Sequence, residues 1–160
     1  MIAAGDKLPD VKFKTMTADG VKEVSTGELF AGKKAILVAV PGAFTPTCDK
    51  NHLPGFVNSA DALKAKGVDF IAFTSVNDVF VMNAWEKSAN ASGKVLFLAD
   101  GSAVFAKAIG ADLDLTAGGL GIRSTRYAAI IEDGVVKTID VEENPGQATC
   151  SAAPSILEKL

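Results

Sequence analysis

One short segment holds the residues best suited to covalent chemistry. Cys48 ends the run Pro41-Gly-Ala-Phe-Thr-Pro-Thr-Cys48, which directly follows a buried-strand pattern. Thr45 is a good helix N-cap and Pro46 suits the first helical position, so Cys48 is expected in the first turn of a helix. Unpaired backbone N–H groups and the helix dipole favour an anion there, which stabilises a nucleophilic thiolate. The segment therefore predicts a reactive cysteine, with a small buried residue at a helix start as the alternative.

Two other side chains are candidates for the same site. His52 lies four positions after Cys48, hence on the same face of the expected helix, and either orients the thiol or remains a partly solvated surface residue. Arg126 opens a strand-like run, and its planar fork of donors suits a thiolate or a polar oxygen. We expect it to point across the end of the sheet at Cys48, whereas two solvated arginines, Arg123 and Arg126, at a loop edge are the alternative.

The chain has only two cysteines, Cys48 and Cys150, and they lie far apart in the sequence. Such a pair makes neither a disulfide scaffold nor, with the single His52, the four ligands of a structural zinc site. The two thiols are either inert or a transient redox couple. Cysteine-protease chemistry is disfavoured because a histidine one helical turn away is poorly placed as a base. No cofactor or metal is expected.

The composition limits the class of protein. The chain has 160 residues, of which 48% are hydrophobic and 22% charged, and its net charge is −3. These values predict a single domain over residues 1–160 and disfavour disorder and nucleic-acid binding. No apolar run approaches the roughly 20 residues of a membrane span, and the first residues lack the pattern of a signal peptide. A cytoplasmic location is the expectation.

Apolar runs and helix-like segments alternate along the chain, which predicts an α/β fold. The buried strands are expected at 35–40, 68–73, 95–99 and 127–131, and the helices at 48–66, 79–91, 102–109 and 155–160. The Asp-Gly pair after residue 131 predicts an antiparallel return over 135–141, and the first thirty residues predict a hairpin that turns at Gly20. The central sheet should therefore be mixed.

Several remaining features have simpler interpretations. Asp78 is interpreted as an N-cap, and Phe80, Met82 and Trp85 as core or interface residues. The glycine-rich stretch 117–122 lacks the features of a phosphate loop and is interpreted as a flexible connection. An acidic cluster is interpreted as the solvated rim of the last hairpin; its members are Glu132, Asp133, Asp140, Glu142 and Glu143.

The segment from Pro41 to Phe56 closely resembles the active-site segment of type II, peroxiredoxin-5-like peroxiredoxins. The resemblance extends to the stretches 75–78, 121–126 and 144–146, and so covers essentially the whole chain. It implies a thioredoxin-like fold, a central mixed β-sheet flanked by helices with an added N-terminal hairpin, and a thiol peroxidase. The site residues that it implies are Pro41 as a shield, Thr45 as a partner of the peroxide, Cys48 as the nucleophile and Arg126 as the matching arginine.

The resemblance also implies a reaction cycle. Cys48 attacks hydrogen peroxide or an organic hydroperoxide and becomes a sulfenic acid. Cys150 stands where atypical two-cysteine members carry a resolving cysteine, so we expect an intramolecular disulfide that thioredoxin reduces. A one-cysteine cycle that uses glutathione or glutaredoxin, or a redox sensor with little turnover, is the alternative. A homodimer packed around the active-site loops, with contributions from Phe44 and Phe80, is also expected.

Overall fold

The computed structural model describes residues Met1–Leu160, which form nine strands and five helices. In chain order the elements are β1 (Lys12–Thr17), β2 (Gly20–Ser25), α1 (Thr26–Phe30), β3 (Lys34–Ala39), a π-helical turn (Cys48–His52), α2 (Leu53–Ala65), β4 (Phe70–Ser75), α3 (Val79–Ser88), β5 (Leu96–Ala99), α4 (Val104–Ala108), β6 (Asp112–Leu115), a 3₁₀ turn (Thr116–Gly118), β7 (Gly121–Ser124), β8 (Tyr127–Glu132), β9 (Val135–Val141) and α5 (Ala153–Glu158). None of these helices has the length and apolarity needed to cross a membrane.

Seven strands form one mixed sheet in the order β2-β1-β5-β4-β3-β8-β9. The central strands β3, β4 and β5 are parallel, whereas β8 runs antiparallel to β3 and β9 antiparallel to β8. On the other side β1 pairs antiparallel with β5 and with β2, so the N-terminal hairpin extends the sheet. The predicted α/β fold with a mixed sheet and an added N-terminal hairpin is confirmed.

The strand β3 shows how the sheet separates two cores. Successive side chains of a strand point to opposite faces, and here both faces are covered. Ile36 and Val38 belong to one hydrophobic cluster, which also contains residues of α2, α3 and α5. Ala35 and Leu37 belong to a second cluster on the other face, with residues of α1 and α4. The sheet is therefore buried on both faces. The loop that follows β3 begins at the end of one of its interior strands.

Three local features differ from the sequence-based expectations. The helix expected from residue 48 begins with the π-helical turn Cys48–His52 before α2 follows. The short helix α1 was not predicted, although Ser25 caps it by accepting a hydrogen bond from the backbone N–H of Glu28. The stretch 117–122 is more than a connection, since it contributes to the 3₁₀ turn and to β7 in a small hairpin with β6.

Candidate active site

The pairing of β3 with β8 brings two distant segments together. Ala39 at the end of β3 is paired with Tyr127 at the start of β8. Arg126 immediately precedes β8 and so lies beside the loop that follows β3 and leads to Cys48. This antiparallel pairing explains how residues far apart in the sequence meet at one end of the sheet.

The sulfur of Cys48 is enclosed by donors. Cys48 is fully buried, and its Sγ accepts hydrogen bonds of 2.8 Å each from Thr45 Oγ1 and Arg126 Nη2. The backbone N–H of Asp49 donates to the Thr45 carbonyl at 2.8 Å, which closes the expected helical turn. Hydrogen-bond donors and a fixed positive charge stabilise negative charge on the sulfur.

The hydroxyl of Thr45 acts differently from the N-cap acceptor predicted for it. No backbone N–H of the following turn donates to Oγ1; the hydroxyl lies 2.7 Å from the Gly42 carbonyl and 2.8 Å from Cys48 Sγ. A threonine hydroxyl carries one proton and can donate to one acceptor at a time. The Thr45 hydroxyl can therefore rotate to donate its proton either to the Gly42 carbonyl or to the Cys48 sulfur.

Arg126 is buried and uses all three of its side-chain nitrogens. Nη2 contacts Cys48, Nη1 lies 2.7 Å from Nδ1 of His52, and Nε donates to the Pro145 carbonyl at 2.9 Å. Every one of the structure's salt bridges involves lysine, so no carboxylate neutralises this guanidinium. Because a buried charge is unfavourable without a counter-charge, the positive charge of Arg126 favours an anion at the sulfur.

His52 lies behind Arg126 instead of beside the thiol. It is buried, with Nε2 2.8 Å from the carbonyl oxygen of Ser151 and Nδ1 facing the guanidinium. An arginine only donates and a carbonyl only accepts, so the ring is neutral and carries its proton on Nε2. Burial, and to a lesser extent the nearby Arg126 charge, lowers the pKa of His52 to about 4, although the hydrogen bond to Ser151 and the Glu142 charge act in the opposite direction. The alternative of a partly solvated surface histidine is wrong, whereas the orientation of the thiol by His52 stays a prediction that would act through Arg126.

The Cys48 turn is anchored to the core by its neighbours. The indole N–H of Trp85, in α3, donates to the Asp49 carboxylate at 2.9 Å. Asn77 accepts a hydrogen bond of 2.9 Å from the backbone N–H of Ala43, which fixes the loop before the turn. Trp85 and Met82 are buried, as the core interpretation requires, whereas Phe80 is 67% exposed. Asp78 caps α3 as predicted.

A cleft of about 220 Å³ opens beside this group. Its lining is mostly apolar and consists of Pro41, Thr45, Pro46, Thr47, Leu115, Leu120, Arg126, Pro145 and Gly146. Arg123 braces the rim, because its side chain donates to the carbonyls of Pro41 and Leu120. Arg123 therefore supports the loop instead of lying free in solvent, and the cleft has room for a small molecule next to Thr45 and Arg126.

The C-terminal loop, residues 142–152 between β9 and α5, covers one side of the site. Three of its carbonyl groups accept hydrogen bonds from the residues around Cys48: Pro145 from Arg126, Gly146 from Thr47 and Ser151 from His52. The loop therefore forms part of the site's wall. Sequence reasoning pointed to Cys150 within this loop but missed Ser151.

Glu142 begins this loop and is buried, so its interpretation as part of a solvated rim is wrong. Its carboxylate accepts hydrogen bonds from the backbone N–H and the hydroxyl of both Thr149 and Ser151. Burial by itself would raise the pKa of Glu142, but the hydrogen bonds from Ser151 and Thr149 lower it to about 2. The loop folds back over the carboxylate, which removes it from water.

Cys48 and Cys150 are both free thiols in the structure. Cys150 is partly buried, and burial together with the Glu142 carboxylate raises the pKa of its thiol. The two sulfurs therefore have opposite surroundings, donors at Cys48 and negative charge at Cys150. No group of three or more His, Cys, Asp or Glu side chains is arranged to hold a metal ion.

Comparison with known proteins gives the class. A family model described as Redoxin matches residues 3–157. The chain is 51% identical to Peroxiredoxin-2E-2, chloroplastic, of Oryza sativa subsp. japonica over 99% of the chain and 72% of that relative. It is 50% identical to Peroxiredoxin-2C of the same plant, over 99% and 98% of the two chains. A crystal structure of reduced Prx3 in complex with H₂O₂ from Vibrio vulnificus has a TM-score of 0.95 and 53% identity, with 99% of each chain covered.

The chain therefore belongs to the redoxin family. Within that family it is a peroxiredoxin, a thiol-dependent peroxidase with the expected thioredoxin-like fold.

Proposed function

We propose that this peroxiredoxin reduces hydrogen peroxide and organic hydroperoxides through a sulfenic acid on Cys48. The observation that carries the proposal is the Cys48 sulfur, held between Thr45 and Arg126 beside a cleft. The thiolate donates an electron pair to the terminal peroxide oxygen, the O–O bond breaks, and the leaving oxygen takes a proton to depart as water or an alcohol. Thr45 and Arg126 stabilise the charge that develops on the oxygens.

The cleft supports both classes of hydroperoxide. Leu115 and Leu120 give the cleft an apolar surface that suits an alkyl or aryl group, while Thr45 and Arg126, which contact Cys48, also line it. The Vibrio vulnificus relative was crystallised with hydrogen peroxide itself. We therefore propose a type II, peroxiredoxin-5-like enzyme that accepts the small substrate and tolerates an apolar substituent.

We further propose that Cys150 resolves the sulfenic acid. Its thiol attacks the Cys48 sulfur, a disulfide forms and the sulfenic oxygen leaves as water; thioredoxin then reduces the disulfide by thiol exchange. The connection of the C-terminal loop to the site through Ser151 and His52 supports this role. Reduction of the sulfenic acid by glutathione or glutaredoxin, with Cys150 as a bystander, is the second candidate.

We also propose a homodimer in a reducing, cytoplasmic setting. Phe44, in the loop before Cys48, and Phe80, near the start of α3, are 45% and 67% exposed, and apolar side chains at such exposure are suited to a contact between copies. Sedimentation of wild type and of Phe80→Ser tests the dimer: a monomeric wild type contradicts it, and a monomeric variant supports it.

Intact mass after one equivalent of hydroperoxide tests the cycle. Wild type should lose two hydrogens as the disulfide forms, whereas Cys150→Ser should gain one oxygen and Cys48→Ser should remain unchanged. If wild type and Cys150→Ser both gain oxygen, an external thiol completes the cycle. If neither changes, Cys48 is not the residue that reacts with peroxide.

A further inference from the structure

We propose that Glu142 is a positioning residue of the peroxidase reaction: its carboxylate holds the C-terminal loop closed against Arg126 and His52, and it must release the loop before Cys150 can react. The proposal rests on the function proposed above for Cys48 and Cys150. The peroxidase class of the protein does not depend on it.

Four hydrogen bonds join the carboxylate to its own loop. Thr149 and Ser151 each donate a backbone N–H and a hydroxyl, at distances up to 2.8 Å. Hydrogen bonds to a charged acceptor are roughly twice as strong as neutral ones. A further bond, from the backbone N–H of Glu142 to the Arg126 carbonyl at 3.0 Å, ties the start of the loop to the site. Glu142 therefore holds the loop in place through both its carboxylate and its backbone N–H.

A continuous path of hydrogen bonds runs from Glu142 to the reactive sulfur. Ser151 binds the carboxylate and offers its carbonyl to His52; His52 accepts from Arg126; Arg126 donates to Cys48. Each contact constrains the next because the guanidinium is planar and its donors are fixed relative to one another. The closed loop therefore sets the orientation of the arginine that activates the peroxide step.

The same carboxylate restrains the second cysteine. Cys150 lies between the two residues that bind Glu142, and burial together with the Glu142 carboxylate raises the pKa of its thiol. A protonated thiol is a poor nucleophile toward a sulfenic acid. The closed loop therefore favours the attack of Cys48 on peroxide and disfavours the attack of Cys150 on the sulfenic acid. The open loop favours the attack of Cys150 and disfavours the reaction with peroxide.

The resolving step requires this change. Both cysteines are free thiols while the loop is closed, and the Cys48 sulfur is buried and bonded to Thr45 and Arg126. A disulfide has an S–S length of about 2.05 Å, so its formation requires the segments that carry the two cysteines to move toward each other. The Cys150 thiol bonds to the sulfur of the Cys48 sulfenic acid, and the hydroxyl leaves with the thiol proton as water. No co-reactant beyond the peroxide already consumed is needed.

The first experiment measures the reactivity of the Cys150 thiol alone. In a Cys48→Ser background, alkylation by iodoacetamide is followed against pH in three variants. Glu142→Gln should shift the profile to lower pH and raise the rate at neutral pH by about threefold to tenfold, because removal of the negative charge increases the fraction of thiolate. Glu142→Asp should restore part of the difference. Glu143→Gln removes the same charge from the exposed next residue and should leave the profile unchanged.

The second experiment separates the two steps by rapid quenching and mass spectrometry. Glu142→Gln should slow oxygen gain in the Cys150→Ser background and accelerate the conversion of sulfenic acid to disulfide in the full chain, each by about threefold to tenfold. Thr149→Val, which removes one of the four bonds, should change both rates in the same directions by less. This variant also provides the test if Glu142→Gln does not fold.

The outcomes are distinguishable. An unchanged alkylation profile and unchanged rates for both steps overturn the role of Glu142 even if wild type forms the disulfide. A wild type that gains oxygen and forms no disulfide overturns the resolving role of Cys150, while the alkylation profile and the peroxide step still decide the role of Glu142.

Discussion

Nδ1 of His52 lies 2.7 Å from Nη1 of Arg126, and the imidazole is neutral. A carboxylate in the same place would pair with the guanidinium and neutralise much of its charge. A neutral acceptor fixes the direction of the guanidinium and leaves its charge for the sulfur on the other side. In the proposed reaction, the histidine would therefore act indirectly, through the arginine that it contacts.

The buried neutral histidine predicts a pH-dependent stability. The folded-state pKa of His52 is about 4, below its ordinary value of 6.5, so the unfolded chain binds the proton more tightly. The stabilising contribution is therefore complete above pH 6.5 and is lost as the pH falls toward 4. Between pH 7 and pH 5 the free energy of unfolding should fall by about 2 kcal/mol from this group.

Urea denaturation of wild type and of His52→Gln at both pH values measures this contribution. Glutamine keeps a carbonyl acceptor and an N–H donor but does not titrate, so its loss of stability over this range should be smaller by most of that amount. Equal losses in the two proteins would contradict the neutral, buried histidine.

Arg126 should dominate the rate of the peroxide step. Removal of its charge and its donor in Arg126→Gln should lower kcat/KM for hydrogen peroxide by about 100-fold to 1,000-fold. Arg126→Lys should restore little, because one ammonium group cannot reach the three partners of the guanidinium. Stopped-flow kinetics under peroxide-limited conditions gives the values.

Arg123→Gln is the matched control for that prediction. Arg123 lies three positions earlier and binds backbone carbonyls of the rim instead of the sulfur. Its effect on kcat/KM should be about tenfold or less. Similar losses for both arginines would show that charge near the site matters more than contact with Cys48.

The hydroxyl of Thr45 should be needed as a donor. Thr45→Val keeps the shape and removes the proton shared between Gly42 and Cys48, so kcat/KM for hydrogen peroxide should fall by about 100-fold. Thr45→Ser retains the hydroxyl and should lose about threefold, owing to the freer rotation of serine. If valine is tolerated, the donors around Cys48 act without Thr45.

Leu120 should distinguish the classes of hydroperoxide. It lines the cleft and is 38% exposed, so its truncation in Leu120→Ala removes apolar contact without opening the core. We expect kcat/KM for cumene hydroperoxide to fall by about fivefold, which corresponds to about 1 kcal/mol of apolar contact, while that for hydrogen peroxide is unchanged. Ile122→Ala, equally exposed at 37% but outside the cleft lining, should affect neither substrate.

The framework of the site was predictable because its signals are local or repeat along the chain. Apolar runs gave the four central strands, and the Asp-Gly turn gave the pairing of β8 with β9. Two chemical arguments, a cysteine in the first turn of a helix and an arginine at the start of β8, placed Cys48 and Arg126 together. The family resemblance supplied the roles expected of Thr45 and Pro41, which stay predictions.

What could not be predicted depends on contacts between distant segments. Glu142 is acidic and lies among other acidic residues, so composition indicates a solvated position; only the return of residues 149–151 over it provides its donors. His52 has the spacing to reach Cys48, yet Ser151 and Arg126 occupy its two nitrogens. Patterns among neighbouring residues of the sequence do not indicate hydrogen-bond partners that lie far apart along the chain. The π-helical turn likewise has the composition of an ordinary helix.

The hydrogen bond between Trp85 and Asp49 makes the fluorescence of Trp85 sensitive to the conformation of the turn that holds Cys48. Trp85 is the only tryptophan, it is fully buried, and Asp49 is the residue next to Cys48. Indole emission depends on hydrogen bonding and on contact with water, so unwinding of the turn around Cys48 would change both the intensity and the colour of the fluorescence. We therefore expect the oxidation of Cys48 in the unlabelled protein to be observable through the fluorescence of Trp85.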